Sequence, residues 1–222
     1  MSEPTKESID SLLSKSPYSA SNRAALEAYV DAEATGSCPY HMDANRCLLK
    51  LYQISPQSAN ADKVALVLLL ALMEFPSTDL LALSYLVPER TQKCEPCATI
   101  LQCGDLLKAC KFVEFWETFA SIQGDEKVKS LASGSSEKCQ RAILEVLALT
   151  YKTAKSSQVL PDLKMASTDE ISKLSHPCVE SIAGDVIVFK PSTENTKRNR
   201  VFQEGVNFGA IASMMAKVTC EQ

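Results

Sequence analysis

One cysteine pair, Cys94-Glu-Pro-Cys97, has the spacing of a metal-binding or redox motif. Two thiolates at this spacing can occupy two corners of a zinc tetrahedron, but a structural zinc site needs four ligands. No second close cysteine pair follows, and only Cys38 and His41, with CxxH spacing, could supply the other half. The strand–helix–strand context of a thioredoxin-like motif is also missing. We therefore expect free thiols and no metal or other cofactor, with zinc at Cys94 and Cys97 as the alternative.

Groups that could perform catalysis are sparse in this sequence. The two histidines, His41 and His176, each lie near an expected helix boundary. No spacing connects either of them to a serine or cysteine nucleophile and an orienting carboxylate. A glycine-rich phosphate loop is absent from the sequence, so nucleotide binding has no support. The sequence therefore predicts a protein that is not an enzyme.

One basic cluster, Lys197-Arg198-Asn199-Arg200, lies near the C-terminus. Clustered cations can contact nucleic-acid phosphates, but no aromatic residue alternates with these to stack on bases. The formal net charge of the chain is -4, which gives no general attraction to nucleic acid or to an anionic membrane. Two interpretations stay open: a solvated turn, or a weak contact of Lys197, Arg198 and Arg200 with RNA.

Composition indicates an ordinary globular protein. Of 222 residues, 45% are hydrophobic and 23% are charged, and nine are irregularly spaced cysteines. The first residues, MSEPTKESID, lack the basic and apolar regions of a secretory signal. An odd number of cysteines without an export signal favours reduced thiols, and we expect a cytoplasmic protein. The longest apolar run, VALVLLLALM at residues 64–73, is about half the length that a membrane-spanning helix needs, so it predicts a buried helix.

Apolar residues recur at helical spacing through the first two-thirds of the chain. Short breaks at proline, serine and glycine separate the repeats, so successive helices must fold back on one another. Phe115, Trp116 and Phe119 share one face of their helix, which predicts a packed helical hairpin rather than a cofactor site. The predicted helices are one that ends before Ser16, one that stops at Gly36, one that stops at Ser55, and those over residues 61–75, 78–87, 98–110 and 113–122.

A polar stretch at residues 124–136, GDEKVKSLASGSS, is the predicted domain boundary. A strong helix follows from Ala142 to about residue 151, with weaker helices over 159–164 and 168–174. DVIVFK at residues 185–190 predicts a strand, residues 200–208 its partner, and residues 209–218 a last helix. This order is that of a winged helix. We therefore expect a mainly α protein, with a HEAT-like helical-repeat domain at residues 1–135 and a winged-helix domain with a two-stranded wing at residues 136–222.

Three blocks of sequence resemble a known family. AYVDAE (residues 28–33), MDANRCLLKLYQISP (42–56) and ILQCGDLLKACKFVEFW (100–116) are similar to subunit k of eukaryotic translation initiation factor three. That family combines a HEAT-like helical domain with a winged helix and belongs to the wider group with PCI modules. The resemblance implies a non-catalytic scaffold subunit with subunit l as its neighbour, in a complex that joins the small ribosomal subunit. The alternatives are a nucleic-acid-binding winged-helix protein and a sister PCI subunit of the proteasome lid or signalosome.

The strand at residues 185–190 is the predicted partner surface. Strand alternation places Val186, Val188 and Lys190 on one face and Ile187 with Phe189 on the other. Only one face can cover the core of a small domain, so a neighbouring subunit could cover the second. An unpaired edge of the ribbon could also accept a strand from another chain.

We therefore expect the ribbon formed by residues 185–190 and 200–206 to be the main contact to a subunit l-like partner. In the alternative, the last helix at residues 209–218 folds over the second face and covers it internally. The predicted partner-binding residues are Val186, Ile187, Val188, Phe189, Lys190 and Phe202.

Overall fold

The computed structural model describes residues 5–174, 176–196 and 208–219. The first part of the chain is a stack of helices joined by short loops, with short 3₁₀ turns at Ala20–Asn22 and Pro56–Ser58. The helices are α1 (Lys6–Lys15), α2 (Arg23–Ala34), α3 (Met42–Ile54), α4 (Ala61–Leu72), α5 (Asp79–Ser84), α6 (Glu89–Gln92), α7 (Cys97–Lys108), α8 (Phe112–Ala120) and α9 (Glu126–Gly134).

Side-chain caps fix where several of these helices begin. Thr5 forms a capping box with Ser8 at the start of α1. The Asn60 side chain accepts hydrogen bonds from the backbone N–H groups of the first turn of α4. Ser77 Oγ accepts from the backbone N–H of Asp79, the first residue of α5, at 3.2 Å. Each bond satisfies a backbone donor that the helix itself leaves without a partner.

Helix α4 is the centre of the helical stack. Every residue from Val64 to Leu72 is buried, as predicted for the longest apolar run. The helix packs against α2, α5, α7 and α9, so side chains surround it on most of its circumference. Within the residues described, no helix is long and apolar enough to cross a membrane.

The α7–α8 hairpin carries the aromatic cluster that the sequence predicts. The rings of Phe115, Trp116 and Phe119 lie with centroids 5.0–6.1 Å apart, in edge-on or tilted arrangements. All three side chains are buried. Where α7 packs against α5, a Cβ atom at Gly104 would lie 2.3 Å from Leu80 Cδ2, so glycine permits the close approach of these two helices.

Residues 124–136 do not form the polar linker that the sequence suggests. They form α9, which begins at Asp125, whose side chain accepts from the Glu126 N–H at 2.8 Å. Val128 and Ala132 lie four residues apart and are buried against the stack. Lys127 pairs with Asp31 on α2 at 2.9 Å. Two buried apolar side chains per helix are enough to dock a short helix whose remaining residues face solvent.

The C-terminal part contains a small antiparallel sheet with strand order β1-β3-β2. The order helix, strand, two helices and two strands defines a winged helix. The predicted fold class, mainly α with a winged helix, is confirmed: β2 and β3 form the hairpin of the wing, and β1 adds a third strand to the described sheet. Of the partner strand predicted at residues 200–208, residues 200–207 lie outside the described residues. The elements are α10 (Ser136–Thr150), β1 (Thr153–Lys155), α11 (Ser156–Leu163), α12 (Thr168–Leu174), β2 (Val179–Ala183), β3 (Val186–Phe189) and α13 (Phe208–Thr219).

The helical stack and the winged helix share one hydrophobic core that runs from Ile9 to Phe189. Trp116 Nε1–H on α8 donates to the carbonyl of Asp162 on α11 at 2.8 Å. Lys138 at the start of α10 pairs with Glu74 after α4. The shared core and these two contacts together give the sheet a fixed position relative to the helical stack.

Candidate protein-binding surface on the winged-helix sheet

Strand β3, the predicted partner strand, is the central strand of the sheet. It pairs antiparallel with β1, with Ile187 opposite Ala154, and with β2, where Ile187 is opposite Ile182. The strand predicted at residues 185–190 therefore has no free edge of its own, because β1 and β2 lie on its two sides. Strand β1 has only three residues, and β2 lacks the run of β-branched and aromatic residues that predicts β3.

The two faces of β3 have different environments. Ile187 and Phe189 are both 0% exposed and form part of the core. The prediction that these two side chains contact a partner is wrong, because no partner can reach them in the folded chain. Val186 is 39% exposed, Val188 is partly buried and Lys190 is exposed. The outer face of β3 is thus the one available for binding.

The outer face has an apolar centre and a polar surround. Thr153 and Lys155 of β1 lie opposite Val188 and Val186. On the other side, Ser181 and Ala183 of β2 lie opposite the same two valines. An apolar centre with polar residues around it is the usual composition of a protein-binding surface. We call these six residues, together with Lys190, the outer face.

A groove of about 820 Å³ lies beside β1. One wall is β1 itself, and the other walls come from the α7–α8 turn, the end of α10 and the first turns of α11. Much of its surface is apolar or aromatic, including Phe112, Val146, Tyr151 and Val186. Tyr151 is 49% exposed, so a large ring is open to a binding partner at the mouth of this groove.

Four residues predicted to contact a partner or RNA lie outside the described residues: Phe202, Lys197, Arg198 and Arg200. The chain leading to them is described as far as Thr196. Asn195 Nδ2 donates to the carbonyls of Ala148 at 2.9 Å and Lys190 at 2.8 Å. These bonds attach the segment after β3 to the end of α10, close to the sheet.

Winged helices that bind duplexes use the helix before the wing to approach phosphates, and here that helix is α12. Its first turn carries Asp169 and Glu170, and its last turn carries Lys173. Glu170 Oε2 also accepts a hydrogen bond from the Ala166 N–H at 3.3 Å. Two carboxylates at the start of the helix repel phosphates, so α12 is unsuited to the nucleic-acid backbone.

The cysteine pair singled out in the sequence is split between surface and core. Cys94 is exposed, and its thiol donates to the Arg90 carbonyl at 3.2 Å. Cys97 is buried; burial, followed by the nearby Cys94 and Glu95, raises the pKa of its thiol to about 11. A thiol of this kind stays protonated at neutral pH, whereas zinc binds thiolate. Among the described residues, no group of three or more His, Cys, Asp or Glu side chains is placed to hold a metal ion.

Two further cysteines, Cys103 and Cys139, are buried in the same way as Cys97. None of the eight cysteines in the described ranges forms a disulfide. Burial raises the pKa of Cys103 to about 12 and of Cys139 to about 11. Buried neutral thiols behave as small apolar side chains and are poor nucleophiles.

Both histidines have local structural contacts. His41 Nδ1 accepts from the Ala44 N–H at 3.3 Å, which caps α3, and His41 Nε2 lies 2.7 Å from Asp10 Oδ1 on α1. His176 Nδ1 accepts from the Cys178 N–H at 3.4 Å in the turn before β2. These hydrogen bonds fix the start of α3 and the turn before β2.

The sequence does not predict the buried carboxylate at Glu33. The side chain is 5% exposed and accepts from the His41 N–H at 2.6 Å and from Asn45 Nδ2 at 2.9 Å. Burial raises the pKa of Glu33 to about 7, against the opposing effect of these two hydrogen bonds. The carboxylate joins the end of α2 to the start of α3. Nothing in its local sequence distinguishes it from an exposed glutamate.

Comparison with known proteins identifies a matching family and several similar proteins. A model of the CSN8/PSMD8/EIF3K family matches residues 58–180. Proteins named eukaryotic translation initiation factor 3 subunit K are similar along most of the chain. The human protein is 29% identical over 205 residues, which cover 90% of this chain and 89% of that protein. The Bombyx mori protein is 28% identical over 221 residues, or 97% of each chain. The Dictyostelium discoideum protein is 34% identical over 146 residues, 66% of this chain and 57% of that protein.

Proposed function

The chain belongs to the CSN8/PSMD8/EIF3K family, and on that basis we propose that it is a non-catalytic subunit of translation initiation factor 3. The observation that carries the proposal is similarity to proteins named as subunit K over about nine-tenths of the chain. It acts as a scaffold through protein contacts, in the cytoplasm, and reaches the small ribosomal subunit through the complex. The described cysteines and histidines fit this role. The buried thiols pack in the core, and the histidines accept hydrogen bonds from backbone N–H groups.

The two parts of the chain have separate tasks in this proposal. Residues 1–135 form a HEAT-like scaffold, and residues 136–222 form the winged-helix domain that contacts a subunit l-like partner. The core that the two parts share holds the sheet in a fixed orientation on the helical stack. A sheet held in one orientation loses less conformational entropy when it binds a partner.

The outer face is the proposed contact surface, with Val186 and Val188 at its centre and Lys190 at its margin. Ile187 and Phe189 support it from the core side. Burying partly exposed valines against a partner removes apolar surface from water, which favours association. Phe202 stays a predicted member of this surface.

An RNA contact through Lys197, Arg198 and Arg200 stays a secondary prediction. The acidic first turn of α12 argues against the alternative of a winged helix devoted to nucleic acid. The names of these relatives favour the initiation factor over the sister PCI assemblies of the proteasome lid and signalosome.

Replacement of Val186 by aspartate tests the proposed surface. Val186→Asp places a charge at the centre of the outer face, and Leu81→Asp on α5 is a matched control because Leu81 is 40% exposed against 39% for Val186. Each variant is co-expressed with the other subunits of initiation factor 3, and co-purification of subunit l is measured together with the melting temperature. We expect Val186→Asp to lose subunit l while Leu81→Asp retains it.

Two results would contradict the proposal. Retention of subunit l by a folded Val186→Asp variant would exclude the outer face as the contact. Failure of the unmodified chain to co-purify with any initiation factor subunit would exclude the assembly itself.

A further inference from the structure

A pocket of about 460 Å³ lies where the helical stack meets the winged helix, and it includes no residue of the sheet. It is bounded by α8, α9, the start of α10 and the end of α11. Trp116, Phe119 and Ile122 give it an apolar wall. Ligand pockets in proteins commonly have volumes of about 300–1,000 Å³. The pocket therefore has room for one large side chain of a binding partner.

The aromatic wall of this pocket is held in a fixed position. The indole N–H of Trp116 donates to the Asp162 carbonyl at 2.8 Å, and the rings of Trp116 and Phe119 pack edge-on with centroids 6.1 Å apart. Both side chains are largely buried, so only a small part of each ring faces the pocket. Rings that are already fixed lose little conformational freedom when a ligand packs against them.

Two lysines from different elements border the pocket. Lys129 lies on α9, and Lys164 directly follows α11. Both are exposed, and neither forms an ion pair with another residue of the described ranges. None of the described residues that line the pocket is acidic. An apolar wall beside two lysines without acidic partners favours a ligand that is both apolar and negatively charged.

Lys164 has a backbone conformation that favours glycine. Its φ of 53° and ψ of 45° lie in the left-handed region, and its N–H donates to the Pro161 carbonyl at 3.1 Å as α11 ends. Glycine is the usual residue at such helix ends, because a Cβ atom is disfavoured in this region. The ammonium of Lys164 lies 5.7 Å from the centroid of the Trp116 ring. The chain thus places a cation at the aromatic wall, at an energetic cost that glycine would avoid.

We propose that this pocket binds a short acidic segment of a partner protein that carries one large apolar side chain. The apolar side chain enters the pocket against Trp116 and Phe119. Carboxylates on either side of it pair with Lys129 and Lys164. The two lysines select an acidic segment, and the apolar wall supplies the contact area. This site is separate from the outer face and does not depend on the proposed contact to subunit l.

The test uses the full-length chain and a peptide with one phenylalanine between two short runs of glutamate, acetylated and amidated at its ends. Isothermal titration calorimetry measures its binding. Trp116 is the only tryptophan of the chain, so its fluorescence reports whether the peptide enters this pocket. One control peptide has lysine in place of every glutamate, and another has serine in place of the phenylalanine. A polyuridine oligonucleotide tests whether the pocket binds RNA instead.

Substitution of the two lysines tests the charge contribution. Lys164→Gly removes the ammonium and suits the left-handed backbone, so the fold is retained. Lys129→Gln removes the other charge and keeps a good helix former on α9. We expect each variant to bind the acidic peptide about two- to fivefold more weakly at low salt, and the double variant about tenfold more weakly. Lys6→Gln on α1 makes the same charge change at an exposed position away from the pocket and should leave binding unchanged.

The proposal requires that the acidic peptide bind more tightly than both control peptides, change the Trp116 fluorescence and lose affinity in the lysine variants. Absence of binding, equal binding of either control peptide, or binding that leaves the fluorescence unchanged would overturn it. An oligonucleotide that binds more tightly and changes the same fluorescence would assign the pocket to nucleic acid and also overturn it. If a lysine variant does not fold, the comparison of the peptides on the unmodified chain decides the question. No initiation factor subunit takes part in the measurement, so its failure leaves the proposed function untouched.

Discussion

The buried carboxylate of Glu33 should make the stability of this protein depend on pH. Its pKa rises from an ordinary value of 4.5 to about 7 in the folded chain, mainly because burial disfavours the charged form. Below pH 4.5 both the folded and unfolded chains carry the proton, and the folded state is fully favoured. As the pH rises towards 7 the unfolded chain ionises more readily, so stability is lost in this window. The loss corresponds to about 3 kcal/mol.

Glu33→Gln removes the titration and keeps the shape of the side chain. The glutamine Oε1 can keep the bond from the His41 N–H, and after a flip of the Asn45 amide the glutamine Nε2 can donate to Asn45 Oδ1 in place of the bond that Asn45 Nδ2 now donates. We expect the difference in unfolding free energy, variant minus parent, to increase by about 3 kcal/mol between pH 4.5 and 7.5. In a chain of this size that difference equals about 6–12 °C in melting temperature.

Urea unfolding at several pH values, followed by circular dichroism, measures this difference. Other ionisable groups titrate equally in both proteins and cancel, apart from those coupled to Glu33, which include His41 and Glu74. Glu117→Gln on α8 is the control, because Glu117 is exposed and should give a difference that does not change with pH. A difference that stays constant for Glu33→Gln from pH 4 to 8 would refute the reasoning.

Three further predictions concern the core and the thiols. Trp116→Ala should lower the free energy of unfolding by about 3–5 kcal/mol. Trp116→Phe should lower it by about 1–3 kcal/mol, because it leaves the Asp162 carbonyl without its donor. A melting temperature of the alanine variant within about 2 °C of the parent would contradict the burial of Trp116. Val128→Ala should cost about 2 kcal/mol if α9 is docked, whereas a flexible linker would show no change in urea unfolding. Elemental analysis of the purified protein should find no stoichiometric zinc, and its presence would direct attention to Cys94 and Cys97.

The helical stack was predictable because its helices carry their own signals. Helix α3 has a continuous apolar stripe and ends at Ser55, before a proline, and α4 is apolar along almost its whole length. Phe115, Trp116 and Phe119 recur at helical spacing, so their shared face followed from the sequence. Such periodicity can be recognised from the sequence alone, because it marks a helix face that is buried whichever element packs against it.

The missed elements depend on contacts that sequence spacing does not reveal. Strand β1 has three residues, and it is a strand because β3 provides its hydrogen bonds. Helix α9 has few apolar residues, and its docking depends on the surface that α4 presents. The exposed edge of β1 and the burial of Glu33 also result from tertiary packing. Ile187 and Phe189, which the sequence predicts to contact a partner, are buried for the same reason, because pairing and packing of β3 turn that face into the core.

The two edges of the winged-helix sheet differ in regularity. Strand β2 carries a bulge at Glu180, while β1 pairs with β3 in a regular register. A bulge breaks the even spacing of outward backbone groups and twists the strand, which protects that edge against pairing with a further chain. Deletion of Glu180 should therefore restore even spacing along β2 and favour open-ended association of the chain, measured by light scattering.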